Sequence, residues 1–258
     1  MKSIFLFLIF LGLSHMSLSQ IHMENFEYKI GDSVFEGYLA YDASIKDKHP
    51  GVLIVHEWWG ITPYIQKRAE QLARLGYVAF AVDIYGKGIR AKTPEEAQTV
   101  VKQFYGDRKL LRQRAAAGLD ILRKNSLVDP KRIAAIGYCF GGMTALELAR
   151  SGADIAGVVS FHGGLATPNT DDAKNIKAKI LVLTGGDDPN VPATQVTAFE
   201  DEMRKANVDW QLVSYGGAVH SFTNPASGND PAKGVAYNEK ADKRSWDAMK
   251  TFFSEIFQ

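Results

Sequence analysis

The residue best suited to chemistry is the single cysteine of the sequence, Cys139, which lies between Gly137 and Gly141. Residues 133–136 before it are apolar, as in a buried strand, and residues 143–151 after it have the pattern of a helix. A reactive residue on a sharp turn between a strand and a helix needs small neighbours two positions away on each side, because the two elements pack closely there. The N-terminus of a helix also favours the thiolate, the nucleophilic form of cysteine. A lone cysteine is usually a packing residue, but this spacing predicts a nucleophile elbow.

A thiol nucleophile needs a base that accepts its proton and a carboxylate that orients the base. Three of the six histidines lie in the N-terminal region or at the entrance end of a strand, which leaves His56, His162 and His220. Only His220 follows the cysteine, a candidate acid and the last predicted strand, which is the order found in α/β-hydrolases. His162 is the alternative base. The acid lies in the loop before the next helix, where the spacing allows either Asp187 or Asp188.

The elements that must position these residues follow from the hydrophobic pattern. Six apolar runs are typical of buried parallel strands, at residues 52–55, 77–82, 133–138, 156–160, 179–183 and 211–215. Helices are predicted between and after them, at residues 63–75, from 94, 107–125, 143–151, 192–206 and from about 237. Two alternating segments, residues 26–30 and 34–41, predict an antiparallel hairpin. We therefore expect an α/β fold with a mostly parallel twisted sheet, helices on both faces and an N-terminal antiparallel hairpin.

In an open parallel sheet, ligands bind in the loops at the carboxyl ends of the strands. Cys139, both candidate acids and His220 all follow predicted strands, as does the segment from His56 to Gly60. The sequence thus predicts one functional edge of the sheet.

Composition narrows the class of protein. The chain has 258 residues, of which 46% are hydrophobic, enough for one large α/β domain. A net charge of +1 without a basic stripe argues against a nucleic-acid-binding protein. The single cysteine excludes an internal disulfide and a thiolate-rich metal site, and neither a metal nor an organic cofactor is expected. A monomer is the expected state.

The N-terminal residues have the pattern of a secretory signal. Lys2 precedes the apolar run of residues 4–13, and Ser17 and Ser19 are small residues at the spacing that a signal peptidase prefers. The run is shorter than the roughly 20 residues of a membrane-spanning helix, which disfavours an uncleaved anchor. We expect a signal peptide at residues 1–19 and a single domain at residues 20–258. The mature protein would then be secreted or periplasmic, without membrane contact.

Four motifs together resemble the dienelactone hydrolase family, the cysteine branch of the α/β-hydrolases. They are His-Glu-Trp-Trp-Gly at residues 56–60, Gly-Tyr-Cys-Phe-Gly-Gly at 137–142, Asp-Pro-Asn-Val-Pro at 188–192 and His-Ser-Phe at 220–222. Each motif alone is weak, but their order and their positions at strand ends make the combination specific. The resemblance covers essentially the whole mature chain and implies an α/β-hydrolase fold.

The resemblance also implies roles for individual residues. Cys139 would be the nucleophile, His220 the base and Asp188 the acid, because Asp188 is the aspartate that precedes x-x-Val-Pro. Glu57 matches a family glutamate that contacts the resting thiol and moves away when substrate binds. The backbone N–H groups that follow Glu57 and Cys139, those of Trp58 and Phe140, would form the oxyanion hole.

The substrate-binding positions depart from the family. Lys87, two residues after Tyr85, and Asn224 stand where the best-known members have two arginines that hold a substrate carboxylate. A lysine lacks the bidentate fork of arginine, and asparagine carries no charge. Lys87 can still bind a carboxylate as a point charge, and it is expected to bind substrate together with Tyr85 and Trp59. Arg90 is a further candidate cation.

The expected function is hydrolysis of small carboxylic esters or lactones through a Cys-His-Asp triad. The thiolate attacks the carbonyl, His220 protonates the leaving alkoxide, and water resolves the thioester. Two alternatives stay open. The same triad could act on thioesters or peptides, or the chain could be a non-catalytic small-molecule binding protein with an inert Cys139.

Overall fold

A computed structural model of the protein describes residues 20–258, and the signal peptide predicted at residues 1–19 lies outside the described residues. The strands are β1 (Ile21–Ile30), β2 (Ser33–Asp42), β3 (His49–Val55), β4 (Val78–Val82), β5 (Val128–Tyr138), β6 (Gly157–Phe161), β7 (Lys179–Gly185) and β8 (Trp210–Tyr215). They form one sheet in the order β1-β2-β4-β3-β5-β6-β7-β8. The pairs β1-β2 and β2-β4 are antiparallel, and the other five pairs are parallel. The predicted mostly parallel sheet with an N-terminal hairpin is confirmed.

Within residues 20–258, six α-helices cover both faces of this sheet, as predicted. They are α1 (Pro63–Arg74), α2 (Pro94–Gly106), α3 (Arg108–Lys124), α4 (Phe140–Arg150), α5 (Ala193–Lys205) and α6 (Glu239–Ile256). The apolar stripes of α1 and α6, which include Leu72 and Phe253, enter the core on one face. Those of the other four helices, which include Leu111 and Met203, enter the core on the opposite face.

Strand β3 shows why the central strands read as continuous apolar runs. Val52 and Ile54 belong to one core, Leu53 and Val55 belong to the other, and all four side chains are fully buried. Each such side chain contributes roughly 1.5–3 kcal/mol when it leaves water. The carboxyl ends of the central strands are therefore firmly held, and so are the loops that begin there.

Two predicted boundaries differ from the structure. Helix α4 begins at Phe140, slightly earlier than predicted, because Gly141 and Gly142 have low helix propensity and hide the first turn in the sequence. Strand β5 begins at Val128, earlier than the predicted residue 133, because Asp129 and Pro130 interrupt its apolar pattern at an irregularity where the register against β3 shifts. In both cases tertiary packing overrides the local preference of glycine or proline.

The turn between β5 and α4 has no room for side chains at its flanking glycines. A Cβ atom on Gly137 would lie 1.9 Å from the backbone oxygen of Gly141, and a Cβ atom on Gly141 would lie 2.1 Å from the backbone oxygen of Val55. Both obstructing atoms are backbone, so no rotamer change relieves the clash. The requirement for small neighbours on each side of Cys139 is thus a physical one.

We expect Gly137→Ala to destabilise the protein by at least about 3 kcal/mol, because the added methyl group can fit only if the strand and the helix separate. The measurement is the urea midpoint of unfolding. Gly106→Ala is the control, since Gly106 ends α2 and a methyl group added there would have no atom within 4 Å. Equal midpoints for the two variants would contradict this packing argument.

Candidate active site

Cys139 occupies a strained turn at the centre of the functional edge. Its φ of 56° and ψ of −115° lie outside the regions that residues other than glycine prefer. Among residues 20–258, only four non-glycine residues have positive φ, and three of them, Cys139, His162 and Ser221, lie at this site. Such strain costs on the order of 1–3 kcal/mol per residue and persists only where the surroundings enforce it. The half-buried thiol is thereby presented at the N-terminus of α4.

His220 lies beside the thiol, in the loop after β8. Its Nε2 is 3.1 Å from Cys139 Sγ, and its Nδ1 is 2.8 Å from Asp188 Oδ2. The other oxygen of Asp188 accepts the backbone N–H of Asn190 at 2.8 Å, which fixes the carboxylate. Asp187, the alternative acid, is exposed to solvent. The structure therefore brings together Cys139, His220 and Asp188, the three residues that the motifs had singled out.

The surroundings of His220 favour its protonated form. Burial lowers the pKa of His220, but the negative charge of Cys139 and the hydrogen bonds to Asp188 and Cys139 outweigh burial and raise it well above the ordinary value of 6.5. The arrangement thus favours an imidazolium whose Nε2 lies 3.1 Å from the Cys139 sulfur.

Glu57 differs from the expectation drawn from the family. Its Oε1 accepts a hydrogen bond from Ser221 Oγ at 2.9 Å, and its Oε2 accepts one from Asn224 Nδ2 at 2.7 Å. Both oxygens are therefore engaged by the loop that carries His220, and the thiol is paired with His220 instead of with Glu57. Burial, with the residue only 1% exposed, raises the pKa of Glu57 above its usual range.

One of the two candidate oxyanion donors comes before Cys139 in the sequence, and the other follows it directly. The Phe140 N–H belongs to the first turn of α4, where N–H groups lack an acceptor within the helix. Trp58 lies in the tight turn after β3 that is closed by the Gly60 N–H and the Glu57 carbonyl at 3.2 Å. Its own carbonyl accepts the Tyr85 hydroxyl at 3.0 Å.

Tyr85 was expected to bind substrate, but in the structure its side chain supports the turn that contains Trp58. Its side chain is buried, its hydroxyl holds the Trp58 carbonyl, and its ring packs against His56 and Phe140 at 4.6 and 5.7 Å between centroids. Trp59 is half-buried and makes an edge contact with Trp58, with 5.0 Å between centroids. The predicted role of Trp59 in substrate binding stays a prediction.

The cations on the loop after β4 are engaged by other groups. Lys87 forms an ion pair with Glu27 of β1, so its ammonium is held at the hairpin. Arg90 donates to the carbonyls of Ile61, Ile89 and Glu36 and lies 3.7 Å from Asp83. Arg90 therefore connects neighbouring loops through hydrogen bonds, and its guanidinium does not replace the missing substrate-binding arginine.

His162, the alternative base, has both ring nitrogens engaged by other groups, a supporting role that the sequence did not indicate. Its Nδ1 accepts the backbone N–H of Cys139 at 3.1 Å, so the ring is neutral and carries its proton on Nε2. That nitrogen lies 2.7 Å from Thr223 Oγ1, which in turn lies 2.6 Å from the Tyr64 hydroxyl. A buried hydrogen-bond chain thus connects the elbow to the His220 loop. The position of His162 directly after a predicted strand marked it as relevant, but no sequence signal pairs it with Thr223.

We expect His162→Leu to lower kcat by about 10²-fold with little change in KM, because a displacement of the elbow by ~1 Å is enough to misalign the thiol. His162→Asn keeps an acceptor near the position of Nδ1 and should recover most of the loss. Kinetics on an aryl ester, with the rate of Cys139 alkylation alongside, provide the measurement. Equal losses in the two variants would show that the ring only fills space.

Acid should destabilise the protein through its buried neutral histidines. Burial lowers the pKa of His162 well below the ordinary value of 6.5 and that of His56 to about 4. Below 6.5 the unfolded chain binds protons that the folded chain does not, so stability falls as pH falls, by about 1.4 kcal/mol per pH unit for each group. Urea unfolding between about pH 7 and pH 5 should therefore show a shallower loss for His162→Asn than for the wild type. Parallel slopes would contradict this.

The described part of the chain lacks two other kinds of site. Residues 20–258 contain no group of three or more histidine, cysteine, aspartate or glutamate side chains that could hold a metal ion. No helix within the same residues has both the length and the apolar character needed to span a membrane.

The sheet order, the helices on both faces and the strand-turn-helix elbow define an α/β-hydrolase. The chain belongs to the dienelactone hydrolase family, whose family model matches residues 35–257. The solved structure of m3DLH is 40% identical, with a TM-score of 0.88 over 92% of this chain and 99% of that one. P91, a dienelactone hydrolase-like promiscuous phosphotriesterase from metagenomic libraries, is 39% identical with the same TM-score and coverage.

A relative found by sequence similarity has a name that fits the same family. A putative carboxymethylenebutenolidase from Aquifex aeolicus is 28% identical over 217 residues, which cover 83% of this chain and 91% of that protein. Family membership makes this protein a carboxylic ester hydrolase, an enzyme of lactones or esters.

Proposed function

We propose that the protein hydrolyses small carboxylic esters or lactones through a Cys139-His220-Asp188 triad and a thioester acyl-enzyme. The observation that carries this proposal is the continuous chain of contacts from Sγ to Nε2 at 3.1 Å and from Nδ1 to the carboxylate at 2.8 Å. Nucleophile, base and orienting acid are thus already within reacting distance.

The geometry supports a two-step reaction. The Cys139 thiolate attacks the carbonyl carbon, and the N–H groups of Trp58 and Phe140 receive the oxyanion. When the tetrahedral intermediate collapses, the C–O bond breaks, and the His220 imidazolium gives its proton to the leaving alkoxide. His220, now neutral, then takes a proton from water as the water attacks the thioester. The acid leaves, and the thiolate and imidazolium are restored.

Glu57 has a place in this scheme. A carboxylate hydrogen-bonded by Ser221 and Asn224 leaves the thiolate free to attack substrate. The arrangement corresponds to the withdrawn position that the family resemblance assigns to its glutamate. Glu57 would therefore act before the chemical step, by exchanging its contacts between the thiol and the His220 loop.

The test is detection of the acyl-enzyme. Wild-type protein is mixed with p-nitrophenyl acetate, quenched in acid within the first turnovers and measured by intact mass spectrometry. We expect a burst of p-nitrophenol and one acetyl group on the peptide that contains Cys139. Turnover without a thioester on that peptide would contradict the triad proposal, and a lack of both would favour the binding-protein alternative.

A second candidate activity is hydrolysis of phosphotriesters, which the similarity to the promiscuous phosphotriesterase P91 favours. Phosphotriesters are uncharged, and a thiolate with adjacent oxyanion donors could attack phosphorus as well as carbon. Release of p-nitrophenol from diethyl p-nitrophenyl phosphate tests it. Acyl thioesters, assayed in the same panel, test the thioesterase alternative.

Secretion is part of the proposal and rests on residues 1–19 alone. N-terminal sequencing of the protein from its native host should begin near Gln20. A chain that retains Met1 would contradict a cleaved signal, and size-exclusion chromatography of the mature chain tests the predicted monomer.

A further inference from the structure

We propose that a chain of buried hydrogen bonds holds and polarises the Trp58 N–H, and that His56, Tyr85 and Tyr28 are positioning residues for the oxyanion. The inference rests on the proposed function, since it concerns a donor that this function assigns to the oxyanion. The three side chains come from β1 and from the loops after β3 and β4, and all three are buried. None of them belongs to the triad.

The chain acts on the peptide unit that joins Glu57 to Trp58. His56 Nδ1 lies 2.6 Å from the Glu57 carbonyl oxygen, and the Gly60 N–H donates to the same oxygen at 3.2 Å. Residues 20–258 contain no cis peptide bond, so this carbonyl and the Trp58 N–H point in opposite directions. No backbone carbonyl of the same residues accepts the Trp58 N–H. The carbonyl end is therefore held, and the N–H end is left for an oxyanion.

His56 is a neutral ring whose two nitrogens have opposite roles. Its Nε2 lies 3.2 Å from the backbone N of Ile84, and because an N–H group can only donate, Nε2 is the acceptor. The ring proton is therefore on Nδ1, which donates it to the Glu57 carbonyl. Burial lowers the pKa of His56 to about 4, so the ring keeps this neutral form near neutral pH.

The chain extends to the N-terminal hairpin. The Tyr28 hydroxyl donates to the Asp83 carbonyl at 2.9 Å, and that carbonyl belongs to the same peptide unit as the Ile84 N–H. Tyr28, two peptide units and the His56 ring thus donate in one direction, and the last donor is the Trp58 N–H. Hydrogen bonds aligned in this way polarise one another, so each of them makes the Trp58 N–H a stronger donor.

Tyr85 fixes the next carbonyl and links the two candidate oxyanion donors. Its hydroxyl donates to the Trp58 carbonyl at 3.0 Å. The Phe140 ring packs against the rings of Tyr85 and His56, with 5.7 and 6.2 Å between centroids. A Cβ atom on Gly141 would lie 2.7 Å from the His56 carbonyl oxygen, so the elbow and this turn are in contact. The same side chains therefore determine how the two N–H groups lie relative to each other.

The test compares acyl transfer, which forms an oxyanion, with a reaction of the same thiol that does not. Hydrolysis of p-nitrophenyl acetate measures the first. The reaction with 4,4′-dithiodipyridine measures the second, because it forms a mixed disulfide and involves no carbonyl group. Cys139 is the only cysteine, so the disulfide rate reports on this site alone. Variants that slow both reactions equally overturn the proposal, since the thiol itself would then be displaced.

His56→Leu should lower kcat for the ester by about 10²-fold with little change in KM, because loss of an oxyanion donor costs about 10²- to 10³-fold. The disulfide rate should stay within about threefold of that of the wild type. His56→Asn keeps an amide donor near the position of Nδ1 and should recover most of the ester rate. Equal ester rates in the two variants overturn the role of the hydrogen bond to Glu57.

Two tyrosine-to-phenylalanine variants test the chain without removing a ring. Tyr85→Phe should lower kcat for the ester about tenfold, since it frees the Trp58 carbonyl, and Tyr28→Phe about two- to threefold, since it acts through three further groups. Tyr77→Phe, directly before β4, is the matched control, because its ring packs against Phe253 and far from this turn in the sheet. Wild-type ester rates in Tyr85→Phe or Tyr28→Phe overturn the role of that tyrosine.

Failure of the proposed function gives a different result from failure of this inference. A wild type that reacts with 4,4′-dithiodipyridine but does not hydrolyse the ester overturns the proposed function and the inference with it. A wild type that hydrolyses the ester at a rate that His56→Leu retains overturns the inference alone.

Discussion

Cys139→Ala should lower kcat/KM for p-nitrophenyl acetate by at least about 10⁴-fold, because removing the nucleophile of a triad leaves only oxyanion stabilisation and binding. The contacts support a loss of this size, since the thiol lies 3.1 Å from Nε2 of His220, the proposed base. The substitution also removes a negative charge that raises the pKa of His220. The imidazole should therefore titrate at a lower pH in the variant, which NMR of the ring protons measures.

Cys139→Ser separates geometry from chemistry. The oxygen fits the same turn, but a hydroxyl is a weaker nucleophile at its ordinary pKa and depends on the base to remove its proton. We expect activity between those of the wild type and Cys139→Ala, with all three proteins unfolding at similar urea midpoints. If Cys139→Ala keeps more than about a tenth of the wild-type activity, another group must attack the carbonyl.

Much of this arrangement could be predicted because it is encoded locally. Strands β3 and β5 read as buried apolar runs, and the elbow needs glycine at positions that lie close to Cys139 in the sequence. The contact between His220 and Asp188 could be anticipated because both follow strands of a parallel sheet, whose carboxyl ends meet at one edge.

The parts that could not be predicted depend on pairs distant in the chain. Ser221 and Asn224 hold Glu57 across more than 160 residues, and Thr223 holds His162 across 61. A serine, a threonine or an asparagine in a loop has many possible partners, so its type does not identify the one it takes. Only the assembled sheet brings these loops to the same edge.

The direction of the Lys87 side chain could not be predicted for a different reason. The family resemblance fixed the position of Lys87 in the loop but not the direction in which its flexible side chain is held. That direction depends on Glu27, a residue of the hairpin that no catalytic motif includes. The ion pair shows how a residue outside the motifs can fix the direction of a side chain that lies near one.

The orientation of His220 provides the second large expected effect. Asp188→Asn should lower kcat/KM by about 10²- to 10⁴-fold, since an amide can present its NH₂ group to Nδ1 and favour the wrong tautomer. Hydrogen bonding and charge from Asp188 both raise the pKa of His220, so the protonated base needed for alkoxide departure should also be lost at a lower pH in the variant. The pH profile of kcat/KM for p-nitrophenyl acetate records both changes.

Asp187→Asn is the matched control, because it makes the same change at the adjacent, exposed residue. The Asp187 backbone N–H donates to the Ala218 carbonyl at 3.0 Å, and that bond does not involve its side chain. Asp187→Asn should therefore keep the rate and the pH profile of the wild type within about twofold, as surface substitutions usually do. The reverse result, with the loss in Asp187→Asn and not in Asp188→Asn, would mean that the loop rearranges when substrate binds. A loss of the same size in both variants would indicate that the net charge of the loop matters more than the 2.8 Å hydrogen bond to His220.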